Sequence, residues 1–268
     1  MGTLEALLYG LIQGTTEFLP VSSSGHLALL PKTLGFKDPG VLFDLAMHIG
    51  TAFAIALYFR KDIKSLSSST LRLILHRKIQ SSSDALCANM IIATIITGIL
   101  GLLLKEWAFT YGRNPSFIAF NLVFFGLLMA WADSFFDSKD QELMKEFSPV
   151  RSSLIGLFQV LAIFPGVSRS GATLTISRFL KLSRYEAGRF SFLLSLPLIV
   201  AGSIYEFTQL NLNLINFELS NLLFGIAVSF FIGILTIHYF LKWISKIGLW
   251  PFSLYRLFLG IIVYWFLT

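Results

Sequence analysis

The 268-residue chain is 55% hydrophobic and only 13% charged, with a net charge of +6 and a single cysteine; its mean hydropathy is +0.73. That composition excludes a soluble globular domain and a disordered chain, and reads as an integral membrane protein. Cys87 alone excludes an intrachain disulfide, and in a membrane protein the positive charge concerns loop placement rather than nucleic acid.

The apolar runs are continuous rather than alternating, which favours helices over a barrel. Thr3 to Phe18 is apolar, with Gln13 and Glu17 four residues apart on one helical face, and Pro20 stops it. Sixteen residues at about 1.5 Å each reach about 24 Å, short of a hydrocarbon core of roughly 30 Å. Leu19 to Ser24 is a turn-rich break, after which Gly25 to Leu30 resumes before Pro31. A re-entrant hairpin over residues 3–30 is therefore expected, with one kinked span as the alternative. Without a Lys or Arg ahead of the apolar run, residues 1–20 are expected to be retained rather than cleaved. Spans are expected at about 41–59, 85–104 and 116–135, with a Ser-rich, basic polar loop from Arg60 to Asp84. Residues 137–151 read as a cytoplasmic linker. A second hairpin, 152–182, breaks at Pro165 to Ser170, and spans at about 190–207, 219–241 and 250–267 follow.

The two breaks are related in sequence. At a constant offset of 146, Gly10 to Leu27 and Gly156 to Thr173 share Gly10/Gly156, Leu11/Leu157, Gln13/Gln159, Phe18/Phe164, Val21/Val167, Ser22/Ser168, Ser24/Ser170 and Gly25/Gly171. The expected organisation is one membrane domain of two repeats, 1–136 and 152–268, each a hairpin plus three spans. A hairpin returns to its own side and three crossings end on the other, so the second repeat is expected upside down relative to the first. The two breaks would then meet near the midplane. With the 60–84 loop inside, fifteen Lys and Arg fall on that side. Lys32, Lys37, Lys105 and Arg113 fall on the other, and Arg169 and Arg256 lie at membrane depth, which accounts for all 21. That bias puts both termini outside, with the first hairpin dipping in from the outer face.

Chemistry concentrates at the breaks. Arg169, between two serines in Pro165-Gly-Val-Ser-Arg-Ser-Gly-Ala-Thr173, needs an anion, and Ser168 or Ser170 can cap a new helix whose first N–H groups suit phosphate. A snorkelling arginine explains that setting less well. The first copy carries Glu17 and His26 where the second has Ile163 and Ala172, and Ser23 where the second has Arg169. Glu17 has a paired structural carboxylate as its bland alternative, and Gln13 a simple inter-helix hydrogen bond. His26 lies within one turn of Ser22 and Ser23, and a capping histidine competes with a catalytic one. His48 and Arg256 are second-rank candidates. No metal-cluster spacing is present, although a hard divalent ion shared between Glu17 and a substrate phosphate would fit.

Three stretches, Gln13-Gly-Thr-Thr-Glu17-Phe-Leu-Pro-Val-Ser-Ser-Ser-Gly-His26, Phe43-Asp-Leu-Ala-Met-His-Ile-Gly-Thr51 and Pro165 to Thr173, together resemble the undecaprenyl-diphosphate phosphatase family of BacA/UppP type. The resemblance covers essentially the whole chain. It implies removal of the terminal phosphate of undecaprenyl diphosphate, recycling of the lipid carrier for cell-wall polymers, and bacitracin resistance. Carried over by position, the family's Glu/Gln-x-x-x-Glu motif falls on Gln13 and Glu17, its serine and histidine on Ser23 and His26, and its phosphate-binding motif on Ser168, Arg169, Ser170 and Thr173. Gln13 in place of Glu removes one carboxylate from any scheme with two acidic metal ligands.

The expectations are then definite. An all-α polytopic membrane protein with an inverted-topology repeat places Glu17, His26, Ser23 and Arg169 in catalysis. Ser22, Ser24, Ser168, Ser170, Gly171 and Thr173 hold the substrate phosphates, and Gln13 and His48 support them. The expected cofactor is at most a divalent cation, Mg2+ or Ca2+, on Glu17, with no organic cofactor. The expected partners are the membrane, a polyprenyl diphosphate lipid and a second copy in a homodimer, without nucleic acid. The expected location is the bacterial inner membrane with the site open to the outer face. The nucleophile stays open between His26, Ser23 and water. A transporter or flippase of the polyprenyl phosphate carrier is the competing function, because broken helices in inverted repeats serve transport as readily as hydrolysis.

Overall fold

The computed structural model describes residues 2–111, 114–135, 147–209 and 218–268. The regular elements there are all helical: α1 (Thr3–Thr16), α2 (Ser23–Leu34), α3 (Val41–Tyr58), α4 (Arg60–His76), α5 (Ser82–Tyr111), α6 (Pro115–Phe135), α7 (Pro149–Val160), a 3-10 turn (Leu161–Ile163), α8 (Arg169–Phe179), α9 (Arg184–Gln209), α10 (Leu219–Ile247) and α11 (Trp250–Leu267). Four of the described helices, α5, α6, α9 and α10, are long and apolar enough to cross a bilayer, and α3 with α4 would make a fifth. All five tryptophans are exposed on the helices' outer surface, where a membrane protein meets lipid and its interface. Most of the 137–151 linker, with Lys139 and Lys145, lies outside the described residues, as does Arg113.

The polar loop expected at 60–84 is instead mostly helix. α3 ends at Phe59, because Arg60, Lys61 and Asp62 follow, and the chain bends by 86° into α4. Ile63, Leu66, Leu73 and Ile74 recur at helical spacing, so α4 is amphipathic, with its cations on the other face. Arg72 ties it to α5 through Asp84 at 2.7 Å, and Asp62 ties it to Arg189 of α9. Counting serines and charges hid this period. α2 likewise runs on through Pro31 to Leu34 and stops at Gly35, whose φ of 72° suits a glycine cap.

Helix pairing follows the internal repeat. α1 packs along α10, and its counterpart α7 packs along α5. Both contacts are close because both carry the shared glycine. A Cβ on Gly10 would stand 2.7 Å from Gly225 O on α10, and one on Gly156 would stand 2.8 Å from Ala93 O on α5. Small residues let helix backbones approach in this way, where dispersion contacts replace the missing hydrophobic drive of water. α6 and α11 form a further pair, and α3 packs on both α9 and α10. The largest core cluster joins the first break to α8, α9 and α10: Phe18 meets Phe192 edge-on at 5.3 Å, and Phe192 meets Phe240 at the same distance. Phe18 thereby anchors the residue beside Glu17.

Candidate active site at the two helix breaks

Each break turns on one serine. Ser22 has φ 74° and Ser168 φ 71°, a left-handed conformation that costs a non-glycine residue of order 1–3 kcal/mol and is kept where the surroundings demand it. Each then caps the following helix: Ser22 Oγ accepts from Gly25 N at 3.4 Å, and Ser168 Oγ from Gly171 N at 3.1 Å. Between Ser168 and Ser170, the two caps that the sequence leaves open, the fold uses Ser168. The shared Ser and Gly positions of the two copies thus share one local geometry. The breaks also bond to each other, since Gly166 N donates to Ser22 Oγ at 3.2 Å and Ser170 Oγ donates to Leu19 O at 3.0 Å.

This contact brings Glu17, at the end of α1, against Arg169, at the start of α8. Arg169 Nη2 donates to Glu17 Oε1 at 2.7 Å. The other carboxylate oxygen accepts from Ser23 Oγ at 2.8 Å and Gln13 Nε2 at 3.0 Å, and His48 Nε2 stands 3.6 Å away. Glu17 is only 6% exposed. A buried charge of this kind is held by its partners, and removing one costs about 3–5 kcal/mol. His48 is oriented for its place: a carbonyl only accepts, so Nδ1 carries the proton donated to Asp44 O at 2.8 Å, and Nε2 points at Glu17.

His26 sits elsewhere. Its Nδ1 donates to Ser22 O at 2.7 Å, and its Nε2 meets the Tyr255 hydroxyl at 2.6 Å, with the two rings stacked at 7°. Both ring nitrogens are engaged, so this geometry steadies the first break and gives His26 no bond to Glu17. Tyr255 carries no sequence signal beyond standing next to Arg256. Of the expected phosphate-binding residues, Ser24 and Ser168 line a cavity with Glu17, Ser23, His48 and Arg169. Ser22, Ser170, Gly171 and Thr173 lie behind it, buried. Thr173 Oγ1 bonds back to Arg169 O at 2.9 Å and meets Ser191 Oγ at 2.6 Å, which fixes the first turn of α8.

The cavity holds about 300 Å³. Leu45, Ile199 and Ser203 line both it and an apolar groove of about 650 Å³ between α3 and α9. A cavity that carries the charged and hydroxyl groups therefore shares a wall with an apolar groove. Among the described residues no three His, Cys, Asp or Glu side chains gather as a metal cluster. Gln13 Oε1, four residues before Glu17, is a buried acceptor with no hydrogen-bond partner, as is its counterpart Gln159 Oε1 in the second copy.

These features define an all-helical, multi-pass integral membrane protein with a polar site built where two helix breaks meet. Residues 6–262 match the family described as bacitracin resistance protein BacA, and the chain belongs to that family. It is 39% identical to the undecaprenyl-diphosphatase of Marinobacter nauticus, over 98% of each chain. It is 42% identical to that of Saccharophagus degradans, over 97% of this chain and 96% of the relative. To undecaprenyl-diphosphatase 1 of Pseudoalteromonas translucida it is 40% identical over the full length of both.

Proposed function

We propose that this protein is a membrane phosphatase that hydrolyses undecaprenyl diphosphate to undecaprenyl phosphate and inorganic phosphate, recycling the carrier for cell-wall synthesis and lowering sensitivity to bacitracin. The observation that carries this reading is the meeting of Glu17, Ser23 and Arg169 across two capped helix breaks. An anion-binding site alone has no use for a buried carboxylate that accepts a hydroxyl proton. Family membership and the relatives' names support the same substrate. The site faces the outer side of the bacterial inner membrane in this reading, following the loop charges, and the two halves are inverted repeats. The apolar groove beside the cavity takes the first part of the polyprenyl chain.

In the mechanism, Arg169 and the N-termini of α2 and α8 receive the diphosphate, whose oxygens displace the guanidinium partly from Glu17. Ser23 Oγ attacks the terminal phosphorus while its proton passes to Glu17, and the P–O bond to undecaprenyl phosphate breaks. Water then cleaves the phosphoserine, releases phosphate and restores the hydroxyl. His48 Nε2 receives or returns the proton held on Glu17. Positioned positive charge is the main need, because charge develops on the peripheral oxygens. Glu17 and Gln13 Oε1 would hold a hard divalent cation if one binds, and such an ion would supply further neutralisation of the phosphate charge.

The test is phosphate release from undecaprenyl diphosphate by purified protein in detergent, where no two-sided membrane exists. Release by the wild type supports the hydrolase. Tight lipid binding without release makes the carrier transporter the better account.

A further inference from the structure

Arg256 of α11 is fully buried, in a helix that the sequence reads as a span, and the mechanism above does not use it. Its guanidinium donates to four backbone carbonyls: Gly166 O at 2.9 Å, Asn121 O and Leu122 O at 3.2 Å, and Pro20 O at 3.3 Å. Pro20 belongs to the first break and Gly166 to the second, so a single side chain grips both. Only a planar fork with five donors does this. Two glycines make room for it. A Cβ on Gly171, in the first turn of α8, would lie 2.6 Å from Arg256 Nη1, and one on Gly126 of α6 would lie 3.2 Å from Arg256 Cβ.

No carboxylate among the described residues pairs with Arg256, and its four partners are all backbone carbonyls. A guanidinium so placed is expensive in a membrane interior, and residues kept at that cost are functional by default. Carbonyl dipoles solvate the cation but leave its net charge. The paired breaks therefore hold two cations, Arg169 and Arg256, against one carboxylate, Glu17, and the surplus lies directly behind the first turn of α8.

We propose that Arg256 is a positioning residue for the anion site: it locks the two breaks in register and contributes, from behind α8, the positive charge that a diphosphate neutralises. This rests on the reading of the site as a diphosphate site. Arg169 makes the direct contact with the substrate, and Arg256 acts through the backbone it holds.

The experiment measures inhibition of the purified, detergent-solubilised enzyme by inorganic diphosphate, with kcat and KM for an isoprenyl diphosphate, in Arg256→Lys, Arg256→Gln and Gly126→Ala. Thermal unfolding followed by tryptophan fluorescence serves as the folding control. Arg256→Gln keeps an amide donor and loses the charge. It should raise both the inhibition constant and KM by about tenfold or more, the scale of one charged contact, with a smaller change in kcat. Arg256→Lys keeps the charge but loses the fork, so it should recover the part of the loss that comes from charge and not the part that comes from holding the two breaks in register. A merely structural arginine would lower kcat and stability in both variants without this split. Gly126→Ala presses on Arg256 from α6 and leaves every site residue in place. It should weaken diphosphate inhibition several-fold, and it decides the matter if Arg256→Gln does not fold. Unchanged inhibition in a folded Arg256→Gln, or in Gly126→Ala, overturns the proposal. Loss of hydrolysis and of diphosphate binding in the wild type would overturn the underlying reading instead.

Discussion

At the scale of residues, the site depends on what surrounds Glu17. Its two oxygens separate their tasks: Oε1 accepts from Arg169 Nη2, and Oε2 accepts the Ser23 and Gln13 donors beside His48. That division makes Ser23 the hydroxyl best placed to attack, since it already donates along the line on which its proton would leave. Rapid quenching with terminally labelled substrate should therefore trap a phosphoserine, stable in acid and lost in base, that is absent from Ser23→Ala. Full turnover in Ser23→Ala, or an acid-labile adduct in the wild type, would move the attack to water or to a histidine. The meeting of Glu17 and Arg169 was legible, because a lone Arg between capping serines needs an anion and a Glu stands beside the other polar break. The roles of the histidines were not. His26 and His48 each lie near polar residues in sequence, and only the packing of α11 shows that Tyr255 occupies one ring while the other faces Glu17.

At the scale of elements, glycines govern how closely the helices approach. Gly10 and Gly156 were visible as identities between the two copies, but the reason for them, backbone contact with α10 and α5, is a property of helices far apart in the chain. Gly156→Val should destabilise the protein by about 1–3 kcal/mol, the usual cost of overpacking, because the new side chain meets Ala93 O and the Ile96 side chain. A fall in the thermal midpoint in detergent, without change in KM, is the expected result. An unchanged midpoint would mean that α5 and α7 move apart freely. α4 shows the opposite limit of sequence reading, because its serines and charges resembled a loop while its apolar period was set by the surface on which it lies. The bend at Phe59 follows from charge, since Arg60 and Lys61 cannot continue into hydrocarbon.

At the scale of the whole molecule, two copies of one capped break have taken different parts: the first carries the carboxylate and hydroxyl, and the second the guanidinium. Neither copy is a site alone. In the proposed reading their juxtaposition supplies the charge separation that phosphoryl transfer needs, and the apolar groove between α3 and α9 is the side route by which the lipid would reach it. The account therefore depends on the Glu17–Arg169 pair acting in the chemical step and not simply bracing the fold. The direct measurement is single-turnover phosphate release from undecaprenyl diphosphate by the wild type, Glu17→Gln and Arg169→Lys, each first shown to be folded. Arg169→Lys keeps the charge and loses the planar fork, and Glu17→Gln keeps the shape and loses the base. Both should slow release by at least about two orders of magnitude, the scale of one preorganised donor. Near-wild-type release from either folded variant would contradict the account.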